Sequence, residues 1–174
     1  MNNLISILNL GKVYFTTQED ILALEDISFD IYENEFITIV GPSGCGKSTI
    51  LSILANLINK STGEIVFHKP ISIGYMLQED SLFEWRNILD NCLIGLEVND
   101  KLTDDNINYV IELLKTYGLY DFKDKYPSNL SGGMRQRVAL TRTLALKPDV
   151  LLLDEPLSAL DAQSRLAIGD DIYN

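Results

Sequence analysis

The sequence predicts an α/β fold, and three features carry that expectation. The apolar run Phe36-Ile37-Thr38-Ile39-Val40 leads into Gly41-Pro42-Ser43-Gly44-Cys45-Gly46-Lys47-Ser48-Thr49 and then into Ile50, Leu51, Ile53 and Leu54, the order strand, loop, helix. A second apolar run, Val150-Leu151-Leu152-Leu153, ends in Asp154 and Glu155, as does a strand buried on both faces of a parallel sheet. Between the two runs, Ile107, Val110, Ile111 and Leu114 recur at helical spacing.

Taken in chain order, residues 4–10, 23–31 and 63–67 read as strands of an N-terminal β-rich layer, separated by polar turns at 16–20 and 59–62. A helical insertion is expected from about residue 86 to 127, with Thr103 as N-cap and Asp104 and Asp105 in its first turn. Ser131 is the expected N-cap of a further helix over 134–146. With no repeat, low-complexity tract or long linker, the economical count is one domain with two subregions.

The loop from Gly41 to Thr49 has the composition of a phosphate cradle. Successive backbone N–H groups must point into one concavity, in conformations that a Cβ would obstruct, and Gly41, Gly44 and Gly46 supply that freedom. Lys47 can bring a point charge to the terminal phosphates, Ser48 can offer its hydroxyl to Mg²⁺, and Thr49 is a further donor. The helix that starts there directs its positive dipole end at the anion. A nucleoside triphosphate is therefore the expected ligand. Asp154, at the C-terminal edge of its strand, is placed to hold the metal shell, and Glu155 to polarise an attacking water.

Leu130-Ser131-Gly132-Gly133-Met134-Arg135-Gln136-Arg137 marks a second anion site. Two glycines in a helix's first turn expose N–H donors at a cost in helix stability, so they need a reason beyond capping.

Composition narrows the partners. The net charge of −11 disfavours nonspecific binding to nucleic acid or to an anionic membrane surface. No apolar stretch approaches the length that spans a bilayer, and Met1-Asn2-Asn3 lacks the features of a secretory signal. The two cysteines, Cys45 and Cys92, suit reduced thiols, and Cys45 puts a thiol inside the nucleotide-binding segment.

With these segments in this order, nearly the whole chain resembles the ATP-binding subunits of ABC (ATP-binding cassette) transporters, a P-loop NTPase family. The resemblance rests on Gly41 to Thr49, on the signature from Leu130 to Gln136, on the strand ending in Asp154 and Glu155, and on the loop Ser158-Ala159-Leu160-Asp161. It implies a mainly parallel sheet core with an N-terminal antiparallel β layer and an inserted helical subdomain. The core is expected at 1–78 and 147–174, the insertion at about 79–146. It further implies that Gln78 contacts Mg²⁺ and water, that Tyr14 stacks on adenine rather than merely packing, and that Asp161 belongs to the nucleotide site. ATP and Mg²⁺ are the implied cofactors, with Ser48, Gln78 and Asp154 on the metal and Glu155, Lys47 and Gln78 in catalysis. Gly41, Ser43, Gly44, Cys45, Gly46, Lys47, Ser48 and Thr49 hold the nucleotide, and Ser131, Gly132 and Gly133 complete the site of a second ATPase subunit in a head-to-tail dimer.

The run from Gln78 to Asn91, with Met134 in the signature, is similar to the importer ATPases that serve nitrate, sulfonate and taurine uptake, although Glu84 stands where a proline usually precedes Trp85. This implies integral membrane permease partners, docked through that run, and a location on the cytoplasmic face of the membrane. The family also continues through a strand ending in a switch histidine. The single histidine here, His68, precedes Gln78 and is expected to be a surface or structural residue. A truncated, hydrolysis-deficient nucleotide-binding fragment or regulatory module thus stands beside the active importer ATPase as a reading.

Overall fold

The computed structural model describes residues 2–17 and 19–156. The chain divides into two compact units, Met1–Ser72 and the part from Ile73 onward.

The first unit is built on a three-stranded antiparallel sheet of order β2-β1-β3, formed by β1 (Asn3–Phe15), β2 (Asp20–Tyr32) and β3 (Thr62–Phe67). β1 and β2 are longer than the periodicity predicted because register shifts within the ladder break the strict alternation of buried and exposed positions. Asn9 and Asp26, both at positive φ, fall in this irregular stretch, and Asn9 Nδ2 donates to Asp26 Oδ1. The hairpin turn is closed by Thr16, whose hydroxyl donates to Glu19 O and accepts from Glu19 N. Leu4, Ile5, Ile7, Leu10 and Leu24 of the sheet are buried, as are Ile50, Ile53 and Leu54 of α1 (Lys47–Leu54).

Residues 36–40 depart from expectation. They belong to neither sheet of the described residues, and Phe36 is 51% and Val40 87% exposed. An apolar run becomes a strand only where a neighbouring strand takes up its backbone groups, and no such ladder forms here.

The second unit has a parallel pair, β4 (Ile73–Met76) and β5 (Val150–Leu153), in the register Ile73 with Val150 through Met76 with Leu153. The parallel part of the described sheet is confined to this ladder. The helices α2 (Ile88–Val98), α3 (Asp104–Thr116) and α4 (Gly132–Leu144) surround one core in which Ile88, Cys92, Leu96, Val110, Leu114 and Val138 are almost wholly buried. Each helix carries its cap: Asn87 Oδ1 accepts from Asp90 N, Thr103 Oγ1 from Asn106 N and Ser131 Oγ from Met134 N. Burial pushes the Cys92 thiol up to about 12, which leaves it a packing residue.

Candidate functional site

In the first unit the glycine loop leads directly into α1. Gly44 and Gly46 adopt left-handed conformations, φ 81° and 94°. At Gly46 a Cβ would lie 2.6 Å from Ala23 O and 2.7 Å from Leu24 Cδ2, so conformation and space both demand glycine there. At Gly44 the space is open and the backbone angle alone makes the demand. Lys47 Nζ donates to Gly41 O and Pro42 O, each at 2.9 Å, so the ammonium folds back over the loop. It also lies 3.8 Å from Cys45 Sγ, and Cys45 is exposed. Ser43 and Ser48 are exposed and Thr49 half-buried, at the end of a helix whose first turn offers N–H groups without acidic competition.

In the second unit the β4–β5 ladder brings three of the expected residues together. Asp154 follows β5, is buried, and continues the ladder through a backbone bond from its N–H to Met76 O at 3.0 Å. Tyr75 OH donates to Asp154 Oδ2 at 3.4 Å. Glu155, the next residue, is exposed and its backbone enters the left-handed region at φ 50°. Gln78, beyond the end of β4, donates from Nε2 to Glu155 Oε2 at 3.2 Å. This pairing brings the amide of one strand end against the carboxylate of the other. Ser48, Gln78 and Asp154 offer hydroxyl, amide and carboxylate oxygens, the hard donors that Mg²⁺ prefers, so the residue types fit that ion.

The signature forms the start of α4. Ser131 caps it, and Gly132 and Gly133 occupy its first turn, with Ser131 and Gly132 exposed. Tyr14 lies at the far end of β1, 37% exposed, with Lys12 Nζ 4.8 Å from its ring centroid, an arrangement that leaves ring surface open. His68 is exposed, its Nε2 3.0 Å from Ser6 Oγ, beside Asp30. Ser158, Leu160 and Asp161 lie outside the described residues.

Sequence reasoning passed over the residues that hold the segment between Gln78 and α2. Asn91 is wholly buried; its Nδ2 donates to Phe83 O, Arg86 O and Asn87 O at 2.9–3.1 Å and its Oδ1 accepts from Phe83 N at 2.7 Å. The available signal was an amide in the apolar company of Ile88, Cys92 and Leu93, where a polar group must find partners. Asp80 and Arg135 form a bidentate pair across the same segment, and the guanidinium holds the Asp80 carboxyl below the usual carboxylate range. No helix among the described residues is long and apolar enough to cross a membrane.

Comparison with known proteins agrees with this geometry. A family described as ABC transporter matches residues 24–158. The chain is 48% identical over 171 residues to YtlC of Bacillus subtilis (strain 168), an uncharacterised ABC transporter ATP-binding protein; the match spans 95% of this chain and 66% of that protein. It is 39% identical over 176 residues to SsuB of Bacillus anthracis, an aliphatic sulfonates import ATP-binding protein, with 98% of this chain and 69% of that one covered. A solved dimeric structure of the ATP-binding cassette MJ0796, in a post-hydrolysis state bound to ADP and Pi, superposes with a TM-score of 0.88 at 30% identity, covering 97% of this chain and 81% of that one. The chain therefore spans about two thirds of the length of the curated relatives it matches.

Proposed function

Because this chain belongs to the ABC transporter family of ATP-binding proteins, we propose that it binds and hydrolyses ATP as the energy-coupling subunit of an importer for small anions such as sulfonate, taurine or nitrate. The observation that carries the reading is the loop at Gly41 to Thr49, whose two left-handed glycines and helix start form an anion cradle with Lys47 at its side. The choice of anion draws support from the sulfonate importer relative.

Phosphoryl transfer to water is chiefly positioning and charge stabilisation. Lys47 exchanges its contacts with Gly41 O and Pro42 O for the terminal phosphates of ATP. The backbone amides from Gly44 to Thr49 bind the remaining phosphate oxygens, and Tyr14 stacks on the base. Glu155 accepts a hydrogen bond from the attacking water and orients it in line with the γ-phosphate. Gln78 fixes the Glu155 carboxylate through its Nε2. Mg²⁺, held by Ser48, Gln78 and Asp154, would supply charge neutralisation of the phosphate oxygens. Ser131, Gly132 and Gly133 offer their donors to ATP held by a second ATPase subunit, so nucleotide forms part of a head-to-tail interface. Asp161 belongs to the nucleotide-binding set. The exposed Trp85 region meets an integral permease on the cytoplasmic side of the membrane.

A second reading, a nucleotide-binding module that hydrolyses poorly, is favoured by residues 36–40, which lie outside both sheets and so give the phosphate loop no strand to brace it. Steady-state ATP turnover with and without Mg²⁺ separates the two. Magnesium-dependent turnover supports the ATPase, and co-purification with an integral membrane protein supports the importer. Tight ATP binding without turnover supports the module.

A further inference from the structure

Arg135 is clamped between two carboxylates of the segment at 79–86. Its Nε donates to Asp80 Oδ2 at 2.7 Å and its Nη2 to Asp80 Oδ1 at 2.9 Å, a bidentate fork, while Nη1 lies 2.8 Å from Glu84 Oε1. On its own helix, the Arg135 backbone N–H donates to Ser131 O at 2.9 Å. One residue therefore touches the first turn of the signature helix through its backbone and the loop through its side chain. Arg142, farther along α4, adds donors to Asp80 O at 2.6 Å and Ser81 O at 2.8 Å.

Beyond Glu84 the loop turns outward. Trp85 is 74% exposed, stacked obliquely on Phe83 with ring centroids 5.0 Å apart. An open cleft of about 420 Å³ is lined by Asp80 and Leu82 of the loop and by Gly132, Arg135 and Gln136 of the helix start. Leu82 anchors the loop in the core with Val138 and Ala139. At the helix start the ionic fork adds a fixed plane and separation, because two parallel N–H···O bonds set both together. An isolated exposed ion pair would contribute little, but Asp80 and Arg135 are each less than a quarter exposed and the guanidinium engages two carboxylates.

We infer that Arg135 is a positioning residue that ties the Trp85 loop to Ser131–Gly133, so that the loop and the signature turn move as one body. Glu84 is the second arm of this tie, which gives its place before Trp85 a physical role. The consequence for turnover rests on the ATPase reading; the tie itself does not.

Trp85, the single tryptophan of the chain, reports the tie directly through its time-resolved fluorescence anisotropy. Arg135→Gln is expected to raise the amplitude of fast local motion about twofold, Arg135→Lys to restore part of the loss, and Asp80→Asn combined with Arg135→Gln to add nothing beyond the single change, as coupled residues require. Glu84→Gln, at a side chain more than half exposed, is expected to act in the same direction more weakly. In steady-state assays Arg135→Gln is expected to lower kcat severalfold with KM for ATP unchanged within about twofold. Unchanged anisotropy in both Arg135→Gln and Glu84→Gln, with native circular dichroism, overturns the inference, as does additivity of the Asp80 and Arg135 changes. If wild type turns over no ATP, the ATPase reading fails, and the anisotropy series still decides the tie.

Discussion

The side-chain amide of Gln78 donates to the carboxylate of Glu155 at 3.2 Å, so the ends of β4 and β5 meet through a hydrogen bond between residues 77 positions apart. Asp154, the neighbour of Glu155, instead turns inward to Tyr75 and is buried. Two adjacent carboxylates thereby have different environments, which fits different tasks: a sheltered one for the cation and an exposed one for water.

Glu155→Gln keeps the shape of this corner and removes the carboxylate. Turnover is expected to fall by roughly 10²–10⁴-fold, the range for loss of a positioned acid–base group, while ATP stays bound. Single-turnover and nucleotide-retention assays check this, and equal turnover in the two proteins would contradict the role given to Glu155.

Gly46→Ala places a methyl group 2.6 Å from Ala23 O at φ 94°. The loop must shift, so ATP affinity is expected to fall at least about tenfold, and a left-handed non-glycine residue adds roughly 1–2 kcal/mol of strain. Calorimetric titration beside thermal melting separates lost binding from lost folding. Gly44→Ala meets no neighbouring atom and should be the milder change.

The two thiols should behave oppositely. Cys45 is exposed in the phosphate loop, whereas Cys92 is wholly buried with its thiol pushed up to about 12. At neutral pH an alkylating reagent is expected to modify Cys45 alone, and ATP to slow the reaction. Mass spectrometry of the intact protein should show a second adduct only after denaturation. Equal rates with and without ATP would remove Cys45 from the lining of the site.

Asp80 should leave a signature in acid. Its carboxyl sits below the usual carboxylate range because it accepts hydrogen bonds from Arg135, so the unfolded chain binds the proton more readily than the folded one. The stabilisation is fully present above the unfolded value near 3.9 and is lost as pH falls through the lower folded value. Melting temperatures of wild type and Asp80→Asn should differ at pH 6 and converge towards pH 3. A constant difference across that range would contradict the assignment.

Local signals in the sequence were legible where the physics was local. Thr103 and Ser131 cap α3 and α4 as their side chains and spacing require, and Gly44 and Gly46 of the phosphate loop take up the left-handed conformations that the composition announces, whereas Gly41 does not. What stayed hidden depends on distant partners. The apolar run at 36–40 carries every mark of a strand except a neighbour, and nothing within it states whether one is there. Asp80 and Arg135 are 55 positions apart, and each taken singly is an ordinary surface charge. Asn91 lay in plain view as a polar residue within an apolar helix, yet its partners are backbone atoms of a turn whose shape only the fold defines.

The most direct test of the central claim is calorimetric titration of the folded, magnesium-supplied chain with ATP, beside Lys47→Ala. The account predicts saturable heat at near one nucleotide per chain, with affinity weakened at least about tenfold by the loss of the phosphate-contacting ammonium. Absence of heat from the wild-type chain, or identical affinity in Lys47→Ala, would contradict it.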